Sequence, residues 1–318
     1  MDKKKEIQVG GQAVIEGVMM RGPEYISTAV RRINGNIEIK KEKFASIIQK
    51  KKKLNIPILR GFISLIEMMI IGFKSLNFSA SRYQLDYEEE ENKKKTKSQA
   101  REKTEEILSY ILAFGLAFLL FAYLPYQLGY WLGLGKKNLY FNLFTGSIRI
   151  VFFVVYIKVI SLMKDVHRLF EYHGAEHKSV FAYENNSVLT PKDVQKFSTL
   201  HPRCGTSFIF FVLLVSILIF AIIDTLVGIF LDTPPIFLRM GYHLLLLPLV
   251  SGVSYEILKL SGKNINHPLV KLMTSPGLAL QKITTQPPDN EQIGVALIAM
   301  KSALDMDLSE YDHIIFID

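Results

Sequence analysis

Residues 207–231 read SFIFFVLLVSILIFAIIDTLVGIFL, with Asp224 as their single charged residue. At about 1.5 Å of rise per residue, a helix over this run is long enough to cross a hydrocarbon core of about 30 Å. In lipid the backbone polar groups have to be satisfied within the segment, so a helix is the expected conformation. Three more runs have the same character, at roughly 107–133, 146–163 and 236–258, the second being the shortest. The frame predicted is therefore a mainly α membrane protein with about four transmembrane helices.

The polar sequence around these runs sets their orientation. The chain has 318 residues, a net charge of +8 and one cysteine. Its mean hydropathy is positive. The charge sits almost wholly outside the apolar runs, which points to basic cytoplasmic parts of a membrane protein rather than to nucleic-acid binding. The segment before residue 107 is heavily basic, and 164–207 carries Lys164, Arg168, Lys178, Lys192, Lys196 and Arg203. The loop between the first two runs has Lys136 and Lys137, and that between the last two has none before Arg239. The positive-inside rule then predicts a multi-pass protein of the bacterial inner (plasma) membrane, with both termini and the 164–207 loop cytoplasmic. MDKKKEIQVGG lacks an apolar core, so no cleavable signal peptide is expected. A lone cysteine allows no intrachain disulfide and fits a reducing compartment.

Working outward, residues 1–53 form a cytoplasmic segment. Its Gly-rich start, GGQAVIEGVMMRGP, implies sharp bends or close backbone approaches. Asn34-Gly35, between Ala29–Ile33 and Ile37–Lys41, predicts a β-hairpin. Glu16 reads either as a surface turn residue or as a site residue presented by a loop. Residues 54–80 are apolar but carry Arg60, Glu67 and Lys74 at seven-residue intervals, one helical stripe. A spanning helix with three charges is costly, so an amphipathic helix in the membrane interface is predicted; the alternative is a span whose charged stripe faces protein. Residues 81–106, acidic then basic, read as a charged linker or exposed helix. The bundle occupies 107–258. The 259–318 tail returns to cytoplasm, with a turn at Pro276-Gly277, a loop at TTQPPDN, a short helix or strand at IGVALIAMKSAL and strand character in HIIFID. The tail is expected to pack with the N-terminal segment as a small α+β cap.

The 164–207 loop opens with EYHGAEHK, residues 171–178, which contains His173, Glu176 and His177 as H-x-x-E-H. On a helix, His173 and His177 share one face, and two imidazoles so spaced can hold one metal ion. The same order is the inverted zinc-peptidase signature, in which the Glu activates water on the ion. Gly174 weakens such a helix by about 1 kcal/mol relative to Ala. The loop ends in HPRCGTSF, bringing His201 and Cys204 to the start of the third span, and the fourth span returns to the same side at Glu256. His173, His177, His201, Cys204 and Glu256 are thus the candidate metal ligands, and Glu176 the candidate base. N and S donors suit a divalent metal, zinc above all. Cys204 reads equally as a buried small residue. His243, inside the fourth run, is either a hydrogen-bonded interior group or a functional one. His167 projects away from His173, and His267 and His313 carry no pattern.

GGQAVIEGVMMRGP, EYHGAEHKSVFAYE, HPRCGTSF, SYE and SPGLALQKITTQPP resemble blocks of the YqhQ-like family, uncharacterised bacterial integral membrane proteins described as predicted metal-dependent enzymes. The resemblance covers nearly the whole chain. It implies a membrane protein in which His173, Glu176, His177, His201 and Cys204 are the matching polar positions, and it supplies no substrate. This chain departs from the family near the tail, with Pro287 and Gly294 where an acidic pair is usual.

Two functions follow as expectations. One is a metal-dependent hydrolase acting at the cytoplasmic membrane surface, on an unspecified substrate, with Glu176 as general base. The alternative is a non-catalytic scaffold or assembly factor whose closed metal site ties the loop to the helices. A transporter is weaker, since no inverted repeat of broken helices is visible. The bilayer is the one partner expected, nucleic acid is not, and the sequence leaves oligomeric state open.

Overall fold

The computed structural model describes residues 9–91, 99–134, 139–231, 235–263 and 267–317. Its N-terminal part is an antiparallel meander of β1 (Gly10–Val14), β2 (Gly17–Arg21), β3 (Tyr25–Arg31) and β4 (Ile37–Lys43). Gly35, at φ +87°, makes the β3–β4 turn beside Asn34 and sets the Arg31–Ile37 register. A fifth strand from the far end of the chain, β5 (Ile314–Phe316), adds to β4 in parallel.

Strand side chains alternate faces, and here both faces are covered. Val18, Met20, Ala29 and Ile39 look one way, into a core with Tyr172, Ala175 and the apolar side chains of residues 293–300. Val14, Met19, Ile26 and Val30 look the other way, against Ile71, Met68 and Phe78. This is why the strands carry no clean apolar–polar alternation.

The helices follow in order. α1 (Ile47–Lys50) is short, capped by Ser46 and followed by a 3-10 turn; α2 (Leu59–Glu91) is the long helix under the second sheet face. α3 (Gln99–Phe118) continues through a π-helical turn, Leu119–Tyr123, into α4 (Leu124–Trp131). Next come α5 (Leu139–Ile160), α6 (Lys164–Glu184), α7 (Pro191–Val194), α8 (Gly205–Phe230), α9 (Ile236–Lys263), α10 (Pro268–Thr284) and α11 (Asn290–Ala303). α11 opens with a reciprocal capping box between Asp289 and Gln292 and packs on β2, β3 and α6.

Among the described residues, four segments, 107–131, 139–160, 208–230 and 237–260, are long and apolar enough to cross a membrane. The second begins at Leu139 rather than near 146. Asn142, Thr145 and Gly146 interrupt the apolar pattern but are buried, with Gly129 of α4 fitted against Phe141 and Thr145 and Gly146 against Ile217 of α8. The expected turn at Pro276-Gly277 is also corrected, since both lie inside α10. Pro276 cannot donate to Leu272 O four residues back, and the Ser275 hydroxyl donates to it instead, at 2.8 Å.

Arg60 and Glu67 of the charged stripe of α2 face protein, whereas Lys74 is exposed. Arg60 meets α9, Glu67 accepts from Ser46 Oγ at 2.7 Å, and Ser75 and Ser79 bond β3 and the β1–β2 turn. Ile66, Met69, Ile70 and Phe73 on the other side are exposed. α2 crosses α9 at Gly61 and Gly252, where an added Cβ would strike backbone or Tyr255 within 3.0 Å. Residues 92–98 of the expected charged linker lie outside the described residues.

Candidate metal centre

EYHGAEHK lies within α6, and the helix presents His173 and His177 together, with ring centroids 4.4 Å apart. Each ring turns its Nδ1 to a backbone carbonyl. His173 Nδ1–H donates to Thr284 O at 2.7 Å, and His177 Nδ1–H to Thr199 O. This fixes both tautomers and leaves both Nε2 atoms as acceptors on the inner side, the arrangement that outer hydrogen bonds give to metal-binding histidines. His173 Nε2 lies 3.2 Å from Cys204 Sγ. Among the described residues, the buried His177 Nε2 has no hydrogen-bond partner. Among the described residues, one donor atom each from His173, His177 and Cys204 lies within 4.8 Å of the others.

Segments remote in sequence hold these atoms. Cys204 caps α8, accepting from Thr206 N. The Thr199 segment is pinned by the buried Lys178, whose Nζ donates to Gln195 O and Phe197 O, both at 2.6 Å. The Thr284 segment passes so close to α6 that a Cβ on Gly174 would sit 2.1 Å from Gln286 O. Gly174 thus trades helix propensity for the approach that brings Thr284 O to His173.

Glu176 stands beside the donors without joining them. Its Oε2 is 3.8 Å from His173 Nε2 and 3.9 Å from His177 Nε2, while Oε1 accepts from Gly11 N at 3.0 Å. Burial pushes the Glu176 carboxyl above its ordinary range, against the opposing pull of His173, His201 and the Gly11 N–H. Burial holds the His177 imidazole below its usual value, despite nearby Cys204, so it is neutral and free to ligate at neutral pH.

Two expected ligands are elsewhere. Glu256 is not at the centre: both its oxygens are taken by Arg60 of α2, Nε to Oε1 at 2.6 Å, which answers the charge that the apolar run of α2 carries. His201 is adjacent, its ring centroid 5.7 Å from that of His177, but its nitrogens are engaged by Glu184 and by Arg203 N, and its backbone is clamped by the Gln281 amide. Glu16 sits at a β1–β2 turn at φ +53°, bonded to Arg168 and Tyr172 and not to the His/Cys group. His267, patternless in sequence, caps α10.

The profile of a family described as "Protein of unknown function (DUF1385)" matches residues 56–306. The chain belongs to the DUF1385 family. It is also 36% identical, over 318 residues, to the "Uncharacterized protein YqhQ" of Bacillus subtilis (strain 168), covering 96% of this chain and 95% of that protein. No solved structure matches. The four groups of the centre, His173, Glu176, His177 and Cys204, all fall within the DUF1385 stretch, whereas Gly11, which holds Glu176, precedes it.

Sequence reasoning missed Gly11, Thr199, Thr284 and Gln281. The Gly10-Gly11 pair did signal a close backbone approach. The carbonyls of Thr199 and Thr284 leave no trace, because any residue supplies a C=O.

Proposed function

We propose that this chain is a membrane-embedded, metal-dependent hydrolase whose site faces the cytoplasmic membrane surface. The observation that carries the reading is the pairing of two ready Nε2 atoms and a thiol with a carboxylate held next to them but bonded elsewhere. Two imidazoles and a sulfur suit zinc, and three protein donors are the number that hydrolytic sites use. Tetrahedral zinc would set its donors about 3.3–3.6 Å apart, from ion–donor distances of about 2.0–2.3 Å, and the 3.2 Å His173–Cys204 pair is near this. When bound, such an ion supplies Lewis acidity and lowers the pKa of water toward 7.

The protein's own groups do the rest. His173, His177 and Cys204 would hold the ion, with Thr284 and Thr199 fixing the rings. Glu176 Oε2 takes the proton of a nucleophilic water, while the Gly11 N–H keeps the carboxylate aimed. Burial raises its pKa, which makes it a stronger base than a solvated carboxylate. With the four apolar segments spanning the bilayer and basic residues cytoplasmic, α2 lies in the interface, its exposed Ile66, Ile70 and Phe73 toward lipid.

A scaffold reading has two observations in its favour. The Gly11–Glu176 bond ties the sheet to α6, and His177 is only 2% exposed, as a structural clip would be. Glu176→Gln separates the two, because an amide oxygen still accepts from Gly11 N but cannot take a proton. The hydrolase reading expects the variant to keep its metal, measured by elemental analysis of detergent-purified protein, and to fail to complement a strain lacking the gene. Full complementation by the variant would leave the scaffold reading standing.

A further inference from the structure

A second group of charged side chains lies within the apolar helices, away from the His/Cys centre. Asp224 of α8 accepts from His243 Nε2 at 2.9 Å, from the Tyr242 hydroxyl and from the Arg239 guanidinium, all on α9. Arg239 also donates to Asn142 Oδ1 of α5 at 3.2 Å, and the His243 ring stacks on Phe220 with centroids 4.2 Å apart. The Asp224 side chain is only 8% exposed.

Arg149 of α5 is the member without a partner. Its Nε is buried and unbonded, and it pairs with no described residue. It stands seven residues after Asn142, about two helical turns, on the same face of α5. Helix side chains lean toward the helix N-terminus, so Arg149 reaches toward the level of Asn142, where Arg239 is bound. Both guanidiniums are always protonated, and only Arg239 is bonded to the carboxylate of Asp224. An uncompensated cation among apolar helices is costly, and such groups pair wherever a partner exists. The described residues are therefore one negative charge short.

We propose that Arg149 and Arg239 form a binding site for a phosphate-bearing anion between α5 and α9. The planar fork of Arg149, with its N–H donors unspent, matches two phosphate oxygens at once. Asp224, held by Tyr242 and His243, fixes Arg239 and stops the two guanidiniums from repelling apart. The anion is either a lipid headgroup phosphate or free phosphate. The inference rests on the apolar segments spanning a bilayer, and is independent of the metal centre.

Thermal unfolding of the purified full-length protein in an uncharged detergent tests it. The probes are dioleoyl phosphatidylglycerol against phosphate-free dioleoylglycerol, and inorganic phosphate against sodium chloride at matched ionic strength. The wild type should rise by roughly 3 °C or more with at least one phosphate probe. Arg149→Gln should lose that rise, and Arg149→Lys, which keeps the charge without the fork, should need about tenfold more probe. A response to phosphatidylglycerol alone assigns the headgroup; a response to inorganic phosphate assigns the free anion. No rise in the wild type with either probe, or equal rises in the wild type and whichever Arg149 variant folds, overturns the site. Recovery of the chain in the soluble fraction without detergent would instead overturn the membrane reading beneath it.

Discussion

Replacing Gly174 by alanine ought to help a helix, and here it should do the opposite. In an exposed helix interior the change stabilises by about 1 kcal/mol. In this protein the new Cβ would lie 2.1 Å from Gln286 O and 3.3 Å from Pro288 Cδ. An ordinary carbon–oxygen contact is more than 1 Å longer, by roughly the margin at which dispersion turns to repulsion. The obstructing atom is backbone, so the 284–288 segment has to back away from α6. Overpacking of this kind costs about 1–3 kcal/mol, which cancels the propensity gain and more. The same retreat breaks Gln286 N to Phe170 O, now 2.9 Å, and lengthens His173 Nδ1 to Thr284 O, now 2.7 Å. Loss of an outer hydrogen bond to a metal-binding histidine typically costs roughly 10–100-fold in affinity. Gly174→Ala should therefore be less stable than the wild type and bind zinc at least tenfold more weakly, measured by competition with a chromophoric chelator in detergent. Wild-type zinc affinity together with an unchanged or higher melting temperature would refute the argument.

His173→Ala and His177→Ala should each reduce bound zinc to near zero while the protein still inserts, whereas His201→Ala should keep its metal, since that ring is spent on Glu184 and Arg203. Elemental analysis of the three variants decides this. Glu256→Gln should leave metal content untouched and lower the melting temperature, because it strips Arg60 of its ion-pair partner. The Glu176 carboxyl is raised in the fold, so the native state binds its proton more tightly than the unfolded chain; stability from this group is full below the unfolded value of 4.5 and is lost as pH rises through the folded value. Melting curves of metal-free protein should then show Glu176→Gln gaining on the wild type from pH 4.5 to pH 8, and a gap that does not change with pH would sink the assignment. A cysteine placed at the exposed Val188 should be shielded from impermeant reagents in intact cells, and its labelling from outside would reverse the topology.

How much of this was legible beforehand varied with the physics of each part. The four apolar runs were plain because length and hydropathy are properties of single segments. The Asn34-Gly35 hairpin and the His173–His177 pair were plain because they are local. The start of α5 was misplaced because Asn142, Thr145 and Gly146 look like a break until their partners on α4 and α8 are known. Pro276 looked like a turn until the Ser275 hydroxyl was seen doing the work of the missing N–H. Glu256 looked like a ligand because topology brought it to the correct end of the bundle; only three-dimensional packing shows that Arg60 had claimed it. Cys204, which sequence left undecided, lies beside His173 while also capping α8.

The sheet has an implication for biogenesis. Its first four strands precede the apolar helices in the chain, and both its fifth strand and α11, which seals one face, follow them. The candidate ligands are drawn from α6 and the start of α8, but the supports of the group come from either side of the apolar helices, Gly11 before them and Thr284 after them. The apolar helices lie between. All four thus precede in the chain the last of the supports that fix the His/Cys group. The set of supports is complete only once residues 284–303 have been made and packed on the sheet and α6.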